Sequence, residues 1–154
     1  MADSPERRMV LLVDPHEDHR NLYGDWFWSQ GFDVVTTSSG RMAIAIAAAY
    51  DPDLVVTELN LPDMNGIVME RRLREARTTQ HVPVLIVTAC ARPQILNAAP
   101  GEQTDLLPKL DFDRLLSQIR RLPPRYRVSH ERDASHRRPT LAAILNGIDA
   151  PPRS

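Results

Sequence analysis

The chain has 154 residues, 42% hydrophobic and 25% charged, enough for one globular domain with a sizeable core and too few for two ordinary ones. No apolar run approaches the ~20 residues of a membrane span, the run over residues 9–13 is shorter than a signal-peptide core of about 7–15 residues, and the single cysteine, Cys90, excludes an internal disulfide and fits a reducing, cytoplasmic compartment. The net charge of −1 conceals a division: residues 1–119 carry 11 basic and 17 acidic side chains, residues 120–154 carry 8 arginines and 3 acids, so an acidic body precedes a basic tail.

In chain order, residues 9–13 suit a strand buried on both faces. Residues 17–30 read as a helix with Leu22, Trp26 and Phe27 at i, i+4 and i+5, stopped by Gly31. A strand over 32–36 follows, and Ser38 or Ser39 can cap an Ala- and Ile-rich helix through about Tyr50. Residues 54–57 form a third strand. Residues 66–77 form a third helix with Ile67, Met69 or Glu70, and Leu73 along its length. Residues 82–88 form a fourth strand, where Pro83 is tolerable near the start. A short helix over 92–99 has Pro93 in its first turn, and 105–107 is a brief fifth strand. Asp111 caps a final helix to Leu122 with Leu115, Leu116, Ile119 and Leu122 as its apolar stripe.

After Leu122, residues 123–154 are punctuated by Pro123, Pro124, Pro139, Pro151 and Pro152 and read as a flexible basic tail. Within it Leu141, Ile144, Leu145 and Ile148, at i, i+3, i+4 and i+7, would line one face of a short helix over 139–149. Such a helix is marginal alone in water and needs a surface to lie on. The expected organisation is a flexible N-terminus over 1–7, a domain over 8–122 and this tail.

Strands alternate with helices about five times, which implies an α/β class with a doubly wound parallel sheet and helices on both faces. No Gly-rich phosphate loop or Ser/Cys nucleophile motif is present, so an enzyme of metabolic chemistry is not expected. His16, His19, His81, His130 and His136 are scattered, with His16 and His19 expected to be exposed at the start of the first helix, and no Cys/His group has zinc-like spacing.

Residues 54–66 read Leu-Val-Val-Thr-Glu-Leu-Asn-Leu-Pro-Asp-Met-Asn-Gly: an apolar strand, a carboxylate, then a Pro/Asp/Asn/Gly turn. This segment resembles the phosphoacceptor segment of the receiver domains of two-component response regulators. The run from Val10 to Asp14, the pair Thr88-Ala89 and the Leu-Asp-Phe-Asp stretch at 110–113 extend the resemblance over about residues 8–122. It implies a five-stranded flavodoxin-like sheet of order 2-1-3-4-5, with the site at the carboxyl ends of the strands beside the switch point between strands 1 and 3. Asp14, Glu58 and Thr88 would face that crevice.

The resemblance also marks departures. Glu58 stands where the family has the aspartate that receives a phosphoryl group, and its longer arm upsets in-line geometry that phosphoryl transfer depends on. Asp14 matches the first Mg²⁺ acid, while Pro15 replaces the second and brings no side-chain ligand. A Mg²⁺ site of Asp14, Glu58 and the Asn60 carbonyl is therefore weakened, and no resident cofactor is expected. Thr88 matches the switch hydroxyl. Lys109 corresponds to the phosphate-contacting lysine, but the family order Lys-Pro is inverted to Pro108-Lys109. A cis bond at Lys109–Leu110 would cost about 2.5–4 kcal/mol, so a trans bond is expected there, and any retained cis bond would move to Leu107–Pro108. Lys109 either reaches Glu58 through its long stem or points to solvent. The aromatic switch position of strand 5 falls on Asp105 or Leu106, so no aromatic switch is expected.

These departures lead to an atypical single-domain receiver that signals by protein–protein contact without phosphorylation. Glu58 then either imitates a phosphoryl group with one negative charge or is inert. The expected partner is a histidine kinase or another signalling protein, or a second copy in a homodimer, through the face of the 92–99 helix, the last strand and the last helix. One alternative is a conventional phosphorelay receiver, which requires Mg²⁺ on Asp14, Glu58 and the Asn60 carbonyl with Lys109 pointing in. Another is polyanion or DNA binding by the arginine-rich tail. Against it, no recognition helix or interleaved aromatics accompany the arginines, so nucleic acid is not the expected partner, and neither is a membrane.

Overall fold

The computed structural model describes residues 7–89 and 104–122. The expected segments at 92–99 and 139–149 lie outside the described residues, as does the tail after Leu122, where the chain divides into two units. The first unit runs β1 (Arg8–Val13), α1 (Glu17–Ser29), β2 (Phe32–Thr37), α2 (Gly40–Tyr50), β3 (Leu54–Glu58), α3 (Gly66–Glu75), β4 (Val84–Thr88), β5 (Thr104–Pro108) and α4 (Phe112–Arg121). All neighbouring strands are parallel, in the order β2-β1-β3-β4-β5. This is the doubly wound, flavodoxin-like sheet expected from the alternation and the resemblance.

The central strands are apolar up to their carboxyl ends because helices cover both of their faces. Val10, Leu12, Leu54, Val56, Leu85, Val87 and Leu107 face one way, onto Tyr23 and Phe27 of α1 and Leu115 and Ile119 of α4. The alternate residues point to the opposite face, where α2 and α3 pack against each other. No helix among the described residues is long and apolar enough to cross a membrane.

Local chemistry sets the boundaries. The Ser39 side chain accepts from the Met42 N–H and caps α2, Asn65 caps α3 and Asp111 caps α4 in the same way. Gly31 ends α1 with φ +92°, a conformation costly for other residues. β4 begins at Val84 and not at 82, because Pro83 has no N–H for the ladder and contributes its carbonyl to Val55 N–H instead. α3 stops at Glu75, short of the expected 77, where Ala76 turns extended. Two core assignments also change. Leu22 is 48% exposed and Tyr23 is buried in its place, so the inner face of α1 is Tyr23, Trp26 and Phe27. On α3 both Met69 and Glu70 are buried, the latter paired with Arg74 at 2.8 Å.

Candidate functional site

Parallel strands bring the carboxyl ends of β1, β3, β4 and β5 to one edge of the sheet. Asp14 follows β1 directly, and its N–H bonds to the Thr37 carbonyl at 3.1 Å, continuing the ladder with β2 for one residue. Glu58 is the last residue of β3. Both acids are nearly buried, 4% and 8% exposed. Taking two carboxylates out of water needs compensation by charge and hydrogen bonds.

Lys109 supplies it. Its Nζ donates to Glu58 Oε2 at 2.7 Å and to Asp14 Oδ2 at 3.0 Å, and only 9% of its side chain is exposed. The other carboxylate oxygens are engaged by the backbone. Glu58 Oε1 accepts from the Leu59 N–H at 2.9 Å, and Asp14 Oδ1 from the His16 N–H at 2.8 Å. Burial pulls the Lys109 ammonium toward neutrality, but the hydrogen bonds and charges of Glu58 and Asp14 outweigh it and leave its pKa above the ordinary lysine value.

The inverted Pro108-Lys109 order is accommodated by the backbone. Pro108 pairs with Thr88 at the end of the β4–β5 ladder, and the Lys109 N–H donates to the Thr88 carbonyl at 3.0 Å. Leu110 then adopts φ +67°, a left-handed conformation uncommon for a non-glycine residue. The Leu110 N–H is held there by the Tyr23 hydroxyl at 2.7 Å. Every peptide bond among the described residues is trans, including Leu107–Pro108 and Lys109–Leu110. Of the two positions open to Lys109, the structure adopts the inward one. Burial raises the Tyr23 pKa, opposed by the Leu110 amide and the Lys109 charge, and burial prevails.

The loop between β3 and α3 is held close to Glu58. The Gly66 N–H donates to the Leu59 carbonyl at 2.6 Å, and a Cβ on Gly66 would lie 2.7 Å from the Glu58 carbonyl oxygen. Asp63 reaches across to α2, where its two oxygens accept from the Gly40 and Arg41 N–H groups at 2.9 Å each. Slight burial pushes the Asp63 pKa up, but these amide donors push it down further, so it lies below the usual aspartate value. Asn60 is exposed and bridges to Asn65. Thr88 is buried at the end of β4.

The structure thus joins Asp14, Glu58 and Lys109 in one cluster, with Thr88 on the adjoining strand end and Asn60 on its outer rim. Sequence reasoning passed over the roles of Tyr23 and Leu110, which fix the height of the lysine, and expected His19 to be exposed, whereas it is half-buried. The Nδ1 of His19 lies 3.5 Å from Asp14 Oδ2, so this side chain is not simply a solvent-facing residue. An acceptable i, i+4 alternative, Tyr23 with Phe27, was the one available signal for the tyrosine.

Comparison with known proteins agrees with this geometry. The response regulator receiver domain family matches residues 10–120. The polar-differentiation response regulator DivK of Brucella ovis is 30% identical over 84 residues, 54% of this chain and 68% of that protein. The response regulator PleD of Caulobacter vibrioides is 30% identical over 149 residues, 90% of this chain but 33% of PleD. Among solved structures, the chemotaxis response regulator CheY4 of Vibrio cholerae shares the fold with a TM-score of 0.68 at 24% identity, over 76% of this chain and 99% of CheY4. A parallel 2-1-3-4-5 sheet, with Asp14, Glu58 and Thr88 at its carboxyl edge and a family match spanning nearly the whole sheet, places the chain in the response regulator receiver domain family of two-component signalling.

Proposed function

We propose that this receiver domain acts as a fixed-state signalling module, recognised by a protein partner without phosphorylation of Glu58. The observation that carries the reading is the Lys109 ammonium bound at once to Glu58 and Asp14. A phosphoryl acceptor needs a carboxylate oxygen exposed to in-line attack. Here Oε2 is taken by the ammonium and Oε1 by the Leu59 amide. The ammonium sits between the two acids and offsets one of their two negative charges from within the chain.

The residues present do not fit a tightly held Mg²⁺. That ion prefers octahedral oxygen coordination at about 2.0–2.1 Å, with one or two carboxylates completed by water and phosphate. Pro15 offers no donor, and both oxygens of Glu58 are already engaged, Oε2 by Lys109 and Oε1 by the Leu59 N–H. The cavity beneath, lined by Asp14, Tyr23, Thr57 and Glu58 among others, is about 10 Å³, room for one water at most. An inward lysine is common to this reading and to a conventional phosphorelay receiver. What favours the fixed state is that Glu58, one methylene longer than the family's aspartate, has both of its oxygens engaged, by Lys109 and by the Leu59 N–H.

The partner is then a histidine kinase or another signalling protein that reads one surface at all times, or a second copy of the domain. Intact-mass spectrometry after incubation with acetyl phosphate and Mg²⁺ tests this directly. The expected result is an unchanged mass and unchanged partner binding. A phosphoryl increment that disappears in Glu58→Ala would overturn the proposal.

A further inference from the structure

Asp14 directly follows β1, His16 is the N-cap residue of α1, and His19 lies one turn along. The reversal at Pro15 folds these three side chains together, and one ligand atom from each lies within 4.8 Å of the other two. We infer that Asp14, His16 and His19 form a binding site for a borderline divalent transition metal of the zinc class, separate in ligand chemistry from the oxygen-only Mg²⁺ site of receivers. The inference goes beyond the proposed signalling role and stands whether or not Glu58 is phosphorylated.

The distances carry it. The Nδ1 of His19 lies 3.5 Å from Asp14 Oδ2, beyond ordinary hydrogen-bond length. A tetrahedral metal with bonds of about 2.0–2.1 Å keeps its ligand atoms roughly 3.4 Å apart, so this pair already spans one edge of such a centre. The same Nδ1 is shielded from solvent and has no hydrogen-bond partner. A buried ring nitrogen without a donor or acceptor is an atom that a metal would satisfy. The His16 and His19 rings stand edge to face, with centroids 4.9 Å apart. His16 is exposed, so its ring can close the remaining gap by rotation without disturbing the core.

Two imidazoles and one carboxylate suit Zn²⁺, Ni²⁺, Co²⁺ or Cu²⁺ and not Mg²⁺, and leave a fourth position for water. Opposing charges are also present. Lys109 shares Asp14 Oδ2, the guanidinium of Arg20 donates to the Asp14 carbonyl at 2.7 Å, and the N-terminus of α1 is itself a positive dipole end. Glu17 and Asp18 in the first turn offset part of this. The balance predicts weaker binding than that of a closed structural site.

The test is titration of the full chain with Zn²⁺ by calorimetry, and with Co²⁺ by visible absorption, each in the presence of millimolar Mg²⁺. One equivalent should bind, and Co²⁺ should give the strong ligand-field bands of a four-coordinate centre. Loss of a second-shell partner alone weakens metal sites about 10–100-fold, so His16→Ala and His19→Ala should each weaken binding at least about tenfold, and the double variant should abolish it. Glu75→Gln, which removes an exposed acid at the end of α3 and no residue of the crevice, should leave the affinity within about threefold of the parent, with circular dichroism confirming that all variants are folded. Absence of saturable binding would overturn the inference. So would binding that persists in the double histidine variant or that is lost in Glu75→Gln.

Discussion

Lys109→Met removes one ammonium and keeps most of the stem volume, so it isolates the charge from the packing. The variant leaves Asp14 Oδ2 and Glu58 Oε2 facing each other across a gap no wider than the two hydrogen bonds laid end to end, 3.0 and 2.7 Å. Two like charges about 5 Å apart repel by roughly 3 kcal/mol at an effective dielectric constant near 20. Loss of one partner from a buried ion pair costs about 3–5 kcal/mol by a separate route, mutational experience. Both figures agree, and the low exposure of all three side chains argues against discounting them to surface values. A domain of this size loses roughly 4 °C of Tm per kcal/mol, so the expected fall is about 10–20 °C at neutral pH. Thermal melts followed by circular dichroism measure this fall, and urea denaturation measures the free-energy deficit. Lys109→Met/Glu58→Gln, which removes one of the two like charges, should recover part of the loss. A deficit under about 1 kcal/mol at pH 7 would refute the reasoning, because it would make the cluster equivalent to an exposed ion pair.

Other perturbations read neighbouring parts of the cluster. Lys109 and Tyr23 both bind their protons more tightly in the folded protein, so their contributions are complete below about pH 10 and fade as pH rises through the folded pKa values. Stability should therefore fall in alkali, and absorbance titration should show a tyrosine ionising above its ordinary range that Tyr23→Phe removes. Asp63 behaves oppositely: its contribution is present above about pH 4 and lost as pH falls through its lowered pKa. Asp63→Ala should cost about 1 kcal/mol at pH 7, the value of a helix cap, and little at low pH, measured by thermal melts across the range. Gly66→Ala should destabilise by about 1–3 kcal/mol in the same melts, because the added Cβ meets the Glu58 carbonyl at 2.7 Å.

The sheet was legible because its strands are short continuous apolar runs separated by capped helices, a pattern with few alternative foldings. Boundaries moved only where a single residue overrode the pattern, as Pro83 did at β4. Side-chain assignments were weaker where periodicity allowed two faces: Leu22 and Tyr23 fit α1 equally well on spacing, and packing against Phe112 at 5.1 Å selected the tyrosine. At the crevice, the resemblance singled out Asp14, Glu58 and Thr88, and all three stand at the carboxyl ends of β1, β3 and β4. The height of Lys109 was not legible, since it depends on the left-handed Leu110 and on a hydroxyl 87 residues away. The approach of His19 to Asp14 was equally hidden, because it arises from how tightly the chain reverses at Pro15 and not from residue spacing.

The central claim is that an internal ammonium holds the crevice in a single state. Amide NMR of the isotopically labelled chain, recorded before and after addition of beryllofluoride with Mg²⁺, tests it most directly. The account predicts that the resonances of Asp14, Glu58, Thr88 and Lys109 stay in place. Saturable shifts at those positions, spreading along β4 and β5 toward α4, would contradict it.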